Sequence, residues 1–82
     1  MKIGVAGSIE SNDVLVTVKE SDHLSITIES IVYDFFKDEI EKVVKDTLNE
    51  ANITNVAVKL QDKGALNYTI RARLLTALER MK

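Results

Sequence analysis

The 82 residues carry a formal net charge of −2, and 45% of them are hydrophobic and 29% charged. This composition predicts one globular domain covering residues 1–82, and it argues against a nucleic-acid-binding protein, which needs clustered Lys and Arg. The chain contains no Cys and a single His. Disulfides, thiolate ligands and the usual zinc sites, which need several Cys or His residues, are therefore excluded.

The sequence contains no candidate for a membrane span or a leader peptide. No apolar run approaches the roughly 20 residues that cross a bilayer, and the N-terminus lacks the apolar segment of a signal peptide. We therefore expect a cytoplasmic protein that has no membrane contact.

Two N-terminal segments, 3–10 and 13–19, predict a β-hairpin with a two-residue turn at Ser11 and Asn12. This register places apolar or small residues opposite one another, in the pairs Ile9 with Val14, Gly7 with Val16 and Val5 with Val18. A one-residue slip would scramble the match, so the pattern predicts the register.

The predicted turn presents Ser11 to solvent. A tight primed turn needs a positive φ at its centre, which Asn12 tolerates and Ser11 tolerates poorly. Glu10 and Asp13 are expected to face each other across the last rung, as a like-charge pair that weakens it. Local rules broken at an exposed point are a modest indication of a functional site, and the pattern alone is more typical of an ordinary polar hairpin tip.

The rest of the chain predicts a strand, a helix, a strand and a helix. Residues 24–29 alternate as a third strand, with Leu24, Ile26 and Ile28 on its apolar side. Ser30 is a natural N-cap for a helix over 32–51. The apolar stripe of that helix consists of Val32, Phe36, Ile40, Val43, Val44, Leu48 and Ala51.

A fourth strand has Val56, Val58 and Leu60 on one side, and Asp62 is expected to cap a last helix that runs to about Met81. The core stripe of that helix consists of Leu66, Ile70, Leu74, Ala77, Leu78 and Met81. The order βββαβα predicts an α+β fold, a small two-layer sandwich in which two helices pack on about four mostly antiparallel strands.

Two segments, 11–18 and 21–28, look alike at a spacing of ten residues. Each begins with Ser, continues with polar turn residues and enters an alternating strand. A true repeat protein needs more copies, so we interpret the likeness as shared strand-and-turn chemistry.

No group of residues in the sequence has the pattern of an active site. The acidic residues are spread over predicted helix surfaces, and His23 lies at a predicted loop end, where a solvated role is expected. Gly4 and Gly7 do not form a phosphate-binding loop, because no helix follows them. We therefore expect no catalytic residue and no metal ligand, and a carrier or binding module rather than an enzyme.

Two serines compete as the point of covalent modification. The segment Glu29-Ser30-Ile31 is superficially similar to the Asp-Ser-Leu phosphopantetheine site of ordinary acyl carrier proteins. Those carriers are all-helical and strongly acidic, whereas this chain is half strand and nearly neutral, and helix capping explains Ser30 more simply. Ser11 is therefore the preferred candidate.

Residues 5–14, VAGSIESNDV, resemble the N-terminal motif of the acyl carrier (γ) subunit of citrate lyase, approximately Ala-Gly-(Thr/Ser)-Leu-Glu-Ser-(Gly/Ser/Asn)-Asp-(Val/Ala). Residues 62–74, DKGALNYTIRARL, resemble the second motif of that family, Asp-Lys-Gly-Ala-Leu-Asp-x-x-(Ile/Leu)-Arg-Ala-Arg-(Leu/Val). Two motifs in the right order, about fifty residues apart, make the resemblance specific and extend it over nearly the whole chain. The departures are small: Ile9 replaces Leu, and Asn12 stands where Gly or Ser is frequent.

The resemblance implies a non-catalytic acyl carrier. In that family the serine that matches Ser11 carries 2'-(5''-phosphoribosyl)-3'-dephospho-CoA through a phosphodiester bond, attached by a prosthetic-group transferase. The terminal thiol of this arm holds acetyl, which the α subunit exchanges for citrate. The β subunit then cleaves the citryl group to oxaloacetate and regenerates the acetyl carrier.

Two alternatives and one difficulty stay open at this point. The nearest alternative is the acyl carrier subunit of malonate decarboxylase, which uses the same type of arm. The other is a cofactor-free interaction domain that uses an exposed line of Tyr68, Ala72 and Leu75. The difficulty is that Glu10 and Asp13 should repel an incoming phosphate, although both match the family motif.

Overall fold

The structure is a computed structural model that describes residues 2–31 and 33–81, apart from the side chains of residues 33 and 34. Its elements follow the predicted order βββαβα, so the α+β architecture is confirmed. They are β1 (Ile3–Gly7), β2 (Val14–Glu20), β3 (Ser25–Ser30), α1 (Tyr33–Glu50), β4 (Val56–Asp62) and α2 (Asn67–Arg80).

The four strands form one mixed sheet in the order β1-β2-β4-β3. The β1–β2 and β2–β4 pairs are antiparallel, as predicted for most of the sheet, and the β3–β4 pair is parallel. A parallel pair needs a crossover connection, and α1 provides it between β3 and β4. Because β4 inserts between β2 and β3, the last strand in the chain becomes a central one.

Alternation along β2 and β4 determines which face of the sheet is buried. Val16 lies opposite Leu60 and Val18 lies opposite Val58, and all four are buried. Ile26 and Ile28 of β3 pack against the same cluster, as predicted. Leu24 precedes β3 and is exposed, so its predicted place in the core is wrong.

The predicted register of the first hairpin is wrong by one residue. Gly4 lies opposite Val18 and Ala6 lies opposite Val16, so the small residues of β1 face the core. Val5 points to the other face and is 43% exposed. Ile9, which was expected to pair with Val14, lies outside β1 and is 62% exposed.

Close packing of α2 on β1 explains this slip. A Cβ added at Gly4 would lie 1.9 Å from the backbone oxygen of Ala77 and 2.8 Å from the backbone nitrogen of Met81. The helix therefore leaves no room for a large side chain on this part of the strand. A pattern that scores hydrophobicity favours Val5 as the inward residue, whereas the available space selects Gly4 and Ala6.

Both helices pack on the same face of the sheet, and α1 also contacts α2. In α1 the stripe of Ile40, Val44 and Leu48 is buried as predicted, whereas Phe36 is half exposed at a point where the backbone leaves helical geometry (φ −125°, ψ 16°). Buried Thr47 was missed; its hydroxyl donates to the Val43 carbonyl at 2.7 Å, which satisfies a polar group inside the core. The predicted stripe member Val32 lies outside the described residues.

In α2 the predicted core residues Ile70, Leu74, Ala77 and Leu78 are buried. Leu66 precedes the helix and is exposed, so its predicted place in the core is wrong. Neither helix in the described part of the chain is long and apolar enough to span a bilayer.

Candidate functional site

The turn that presents Ser11 lies between β1 and β2. The Asp13 N–H donates to the Glu10 carbonyl at 3.1 Å, which makes Ser11 and Asn12 the two central residues of the turn, as predicted. Asn12 has φ +67°, and Ser11 is not among the described residues with positive φ. One positive φ at the third position is the pattern of a type II turn, so the expected primed turn is wrong and Ser11 avoids the strain.

The longer loop around this turn follows from the backbone at Gly7. Gly7 adopts φ +91° and β1 ends there, while the Ser8 N–H still donates to the Val14 carbonyl at 3.2 Å. A left-handed glycine that interrupts strand pairing is typical of a β-bulge. Residues 8–13, named here the tip loop, therefore extend past the sheet, and Ser11 is exposed at their centre.

The loop that follows β4 holds the tip loop in place. The Asn12 N–H donates to the Lys63 carbonyl at 2.8 Å, and the Lys63 N–H donates to the Asp13 carbonyl at 2.9 Å. Gly64 has φ +92°, and a Cβ added there would lie 3.7 Å from Asn12 Oδ1. The two sequence motifs, which are distant along the chain, therefore meet directly beside Ser11.

Asp13 is the polar centre of the tip loop. Its Oδ2 accepts from the Ser8 hydroxyl at 2.8 Å, and its Oδ1 accepts from the Val14 N–H at 2.8 Å. Arg73 reaches over from α2 and donates from Nε to Oδ1 at 3.1 Å and from Nη2 to Oδ2 at 3.4 Å. A guanidinium that faces both oxygens of a carboxylate fixes its orientation as well as its charge.

These bonds determine the charge state of Asp13. The Val14 N–H, followed by the hydrogen bonds from Arg73 and Ser8, lowers the pKa of the Asp13 carboxyl below its ordinary value of 3.8. The carboxylate is therefore ionised near neutral pH and is paired with Arg73. Glu10 and Asp13 face each other across the turn, as expected, and the Asp13 charge is paired with Arg73 of α2.

The second candidate serine lies at the end of β3 and its hydroxyl is engaged. Ser30 is half buried, and its hydroxyl donates to Asp62 Oδ2 at 2.7 Å. Asp62 is buried and its Oδ1 accepts from the Ala65 N–H at 2.9 Å, which closes the loop after β4. The prediction that Asp62 caps α2 is wrong, because Leu66 occupies the N-cap position and makes no side-chain capping bond.

The remaining candidates lie on the surface and away from these contacts. His23 and Asp22 pair at 2.8 Å with both side chains exposed, as expected for a solvated loop. Tyr68 and Ala72 of the predicted partner line are exposed, and Leu75 is half buried. Arg71, on the same helix as Arg73, pairs with Glu50 of α1 at 2.7 Å.

The tip loop exposes the side chain of Ser11 to solvent. The hydrogen bonds around Ser11 engage Ser8, Glu10, Asn12 and Asp13, and none of those described uses the Ser11 hydroxyl. Among residues 2–31 and 33–81, no group of three or more His, Asp or Glu is placed to hold a metal ion. Sequence reasoning found Ser11 but missed Arg73 and Lys63 as its supports, although both lie within the second motif.

A family model and several relatives match this chain. The model, described as malonate decarboxylase delta subunit (MdcD) of the ACP type, matches residues 1–81. The citrate lyase acyl carrier protein of Halothermothrix orenii is 42% identical over 76 residues, which are 92% of this chain and 81% of that protein. The citrate lyase acyl carrier protein of Streptococcus mutans serotype c is 46% identical over 78 residues, which are 93% of this chain and 76% of that protein.

A solved structure matches the fold. It is the crystal structure of a Pseudomonas malonate decarboxylase hetero-tetramer in complex with malonate, with a TM-score of 0.87. The match covers 99% of this chain and 84% of the other chain at 18% sequence identity, so it establishes the shared fold alone. On the sequence matches, the chain belongs to the family of citrate lyase acyl carrier proteins.

Proposed function

We propose that this chain is the acyl carrier subunit of citrate lyase and that Ser11 is the residue that carries its prosthetic arm. The observation that carries the proposal is an exposed serine at the centre of a tip loop that two distant parts of the chain, the loop after β4 and helix α2, hold in place. The motif around Ser11 is the one in which relatives of this family carry their arm, as the resemblance implies.

The residues at the tip loop fit the attachment of 2'-(5''-phosphoribosyl)-3'-dephospho-CoA through a phosphodiester. A large group needs an attachment atom that projects into open space, and Ser11 is exposed whereas Ser30 donates to buried Asp62. The arm supplies a thiol, which a chain without Cys does not possess. The Arg73 guanidinium balances the Asp13 charge beside the attachment point, which reduces the repulsion expected for an incoming phosphate.

Attachment requires one bond to form at Ser11. The Ser11 hydroxyl loses its proton, its oxygen bonds to the phosphorus of an activated form of the arm, and a phosphate-type leaving group departs. We assign the base that takes this proton to the prosthetic-group transferase, whose active site meets the Ser11 hydroxyl during attachment. The chain then presents the acyl group to the α subunit and afterwards to the β subunit of the lyase.

Intact-mass spectrometry after co-expression with the attaching enzymes tests the proposal. We expect the wild-type mass to increase by one arm, Ser11→Ala to remain unmodified and Ser30→Ala to be modified like the wild type. The two variants are matched, since each removes one hydroxyl from a serine at the same end of the sheet. An unmodified wild-type chain would favour a cofactor-free interaction domain, and modification of Ser11→Ala would exclude Ser11 as the attachment point.

The second candidate function is the acyl carrier of malonate decarboxylase, which the family model favours. Reconstitution separates the two. The modified, acetylated chain is mixed with citrate lyase α and β subunits or with the catalytic subunits of malonate decarboxylase. We expect the first mixture to release oxaloacetate from citrate. If instead only the second mixture is active, releasing carbon dioxide from malonate, the chain is the carrier of malonate decarboxylase.

A further inference from the structure

One ion pair links the tip loop to the helical layer of the protein. Arg73 lies on α2 between Ile70 and Leu74, which are fully buried, so its backbone is part of the rigid core. Its side chain ends on Asp13, two residues after Ser11, with Nε 3.1 Å from Oδ1. The tip loop is therefore tied to a helix from a distant part of the sequence.

Both the aliphatic part and the guanidinium of the Arg73 side chain are held in place. A Cβ added at Gly7 would lie 3.3 Å from Arg73 Cδ, so the stem passes close to the backbone at the end of β1. The guanidinium then reaches both oxygens of a carboxylate that also accepts from Ser8 and Val14. Asp13 is only 18% exposed, so solvent weakens this contact less than it weakens a fully exposed pair.

We propose that Arg73, acting through Asp13, is a positioning residue that holds the tip loop so that the Ser11 hydroxyl meets the enzyme that modifies it. The proposal rests on the proposed function, in which Ser11 is the attachment point. Two backbone bonds between the tip loop and Lys63 complete the support, with lengths of 2.8 and 2.9 Å. Loss of Arg73 leaves those bonds without the charged contact that keeps Asp13 oriented.

Arg73 also determines the charge that an incoming phosphate meets. Glu10 and Asp13 lie within two residues of Ser11 in the sequence, and Arg73 pairs with Asp13. Without Arg73 the Asp13 carboxylate is uncompensated, and it repels an anion that approaches Ser11. By orienting the tip loop and by compensating the Asp13 charge, Arg73 therefore favours attachment in two ways.

Arg71→Gln provides the matched control for Arg73→Gln. Arg71 lies on the same helix, is similarly exposed (51% against 45%) and pairs with Glu50 at the end of α1 instead of with a tip-loop residue. Asp13→Asn removes the other partner of the ion pair. Arg73→Lys keeps the positive charge but loses the two-pronged geometry, so we expect partial rescue.

The first measurement is amide hydrogen exchange by NMR in the unmodified chain. In Arg73→Gln and Asp13→Asn we expect the Asn12 and Lys63 amides to exchange about tenfold faster, because loss of a charged hydrogen bond promotes local opening. Exchange in the central strand β4 should stay as in the wild type, which excludes global unfolding. In Arg71→Gln the tip loop should exchange as in the wild type.

The second measurement is the steady-state rate at which the prosthetic-group transferase modifies each variant. We expect kcat/KM to fall about tenfold in Arg73→Gln, mostly through kcat, because the chain still docks while the hydroxyl is misplaced. Arg73→Lys should lie between Arg73→Gln and the wild type, and Arg71→Gln should equal the wild type.

Each outcome decides a different question. If the wild type is modified and Arg73→Gln is modified equally fast, the positioning role is overturned while the proposed function stands. Faster exchange at the tip loop with an unchanged rate of modification overturns it too, because Arg73 would then be a structural residue. If the wild type is not modified at all, the proposed function fails and the positioning role fails with it.

Discussion

Two loops of similar sequence lie at opposite ends of β2 and have different surroundings. The tip loop contains Ser11, Asn12 and Asp13, and the loop of residues 21–24, named here the distal loop, begins with Ser21 and Asp22. The Asp13 carboxylate accepts hydrogen bonds from Ser8, Val14 and Arg73. Among the described residues, the Asp22 carboxylate pairs with the adjacent His23, and these two side chains are 95% and 75% exposed.

Similar local sequences do not give the two loops similar tertiary contacts. Both loops use polar turn residues before an alternating strand, and the distal loop also has a backbone bond, from the Ser21 N–H to the Asn55 carbonyl at 3.1 Å. Of the two loops, only the tip loop receives a charged partner from helix α2 and two backbone bonds from Lys63, among the contacts of the described residues. Those tertiary contacts, and not the turn residues, distinguish the two loops.

The largest loss of stability is expected from a substitution that disrupts the backbone at the start of the tip loop. In Gly7→Ala the new Cβ would lie 1.8 Å from the Val14 carbonyl oxygen in a residue with φ +91°, so the strand end must shift. We expect the free energy of unfolding to fall by about 2–4 kcal/mol, measured by urea denaturation.

Gly64→Ala is the matched control for that experiment. Gly64 has φ +92°, but its added Cβ meets nothing closer than 3.7 Å, so only the backbone strain remains. We expect a loss of about 1–2 kcal/mol. Equal losses in the two variants would contradict the steric argument at Gly7.

A smaller effect is expected from charge removal in the two loops. Asp13→Asn leaves Arg73 unpaired and weakens the bonds from Ser8 and Val14, so we expect a loss of about 1–2 kcal/mol in the free energy of unfolding. Asp22→Asn should change it by less than about 0.5 kcal/mol, because exposed ion pairs contribute little. A similar loss in both variants would show that the tip loop is not specially stabilised.

The free energy of unfolding should depend on pH through the Asp13 carboxylate. The pKa of Asp13 in the folded chain lies below its ordinary value of 3.8, so the stabilising contribution of the carboxylate is complete above that value. It is lost as pH falls through the lower, folded pKa. The stability difference between the wild type and Asp13→Asn should therefore be constant at pH values well above 3.8 and shrink as the pH falls below that value. A difference that stays constant over the whole range would contradict the assignment.

The smallest expected effect concerns the turn residue itself. Asn12 has φ +67°, a conformation that glycine adopts without strain. In Asn12→Gly the relief of strain opposes the greater entropy of the unfolded chain, so we expect a change of less than about 0.5 kcal/mol. Asn12→Val should cost about 1–2 kcal/mol in the same denaturation experiment. Tolerance of Val would indicate that the turn can adopt another geometry.

The parts of the fold that follow from periodicity were predictable from the sequence. The inward residues of β2 and β4 and the buried stripe of α2 alternate with the expected periods, and they are buried as predicted. β1 was assigned to the wrong face because its core residues are Gly4 and Ala6, which a hydrophobic pattern does not select. Their small size is explained only by α2, which follows them by more than sixty residues.

The candidate site was predictable in its central residue and not in its supports. Ser11 was found because a polar turn interrupts an apolar alternation and because its surroundings resemble a family motif. Arg73 was missed as a support, because a helical pattern indicates which face of the helix a residue occupies and not what lies opposite that face. Asp62 was assigned to the wrong partner for the same reason: an N-cap and a loop-closing carboxylate have the same local sequence.

By itself the sequence determined the order of the elements, the inward faces of the central strands, the membership in a carrier family and the serine that the turn exposes. These depend on contacts between near neighbours in the chain, or on motifs that can be read directly. The tertiary structure alone decided the register of β1 and the union of the two motifs around Ser11. Both depend on how closely α2 approaches the first hairpin, and that distance is a property of the packed core rather than of either segment.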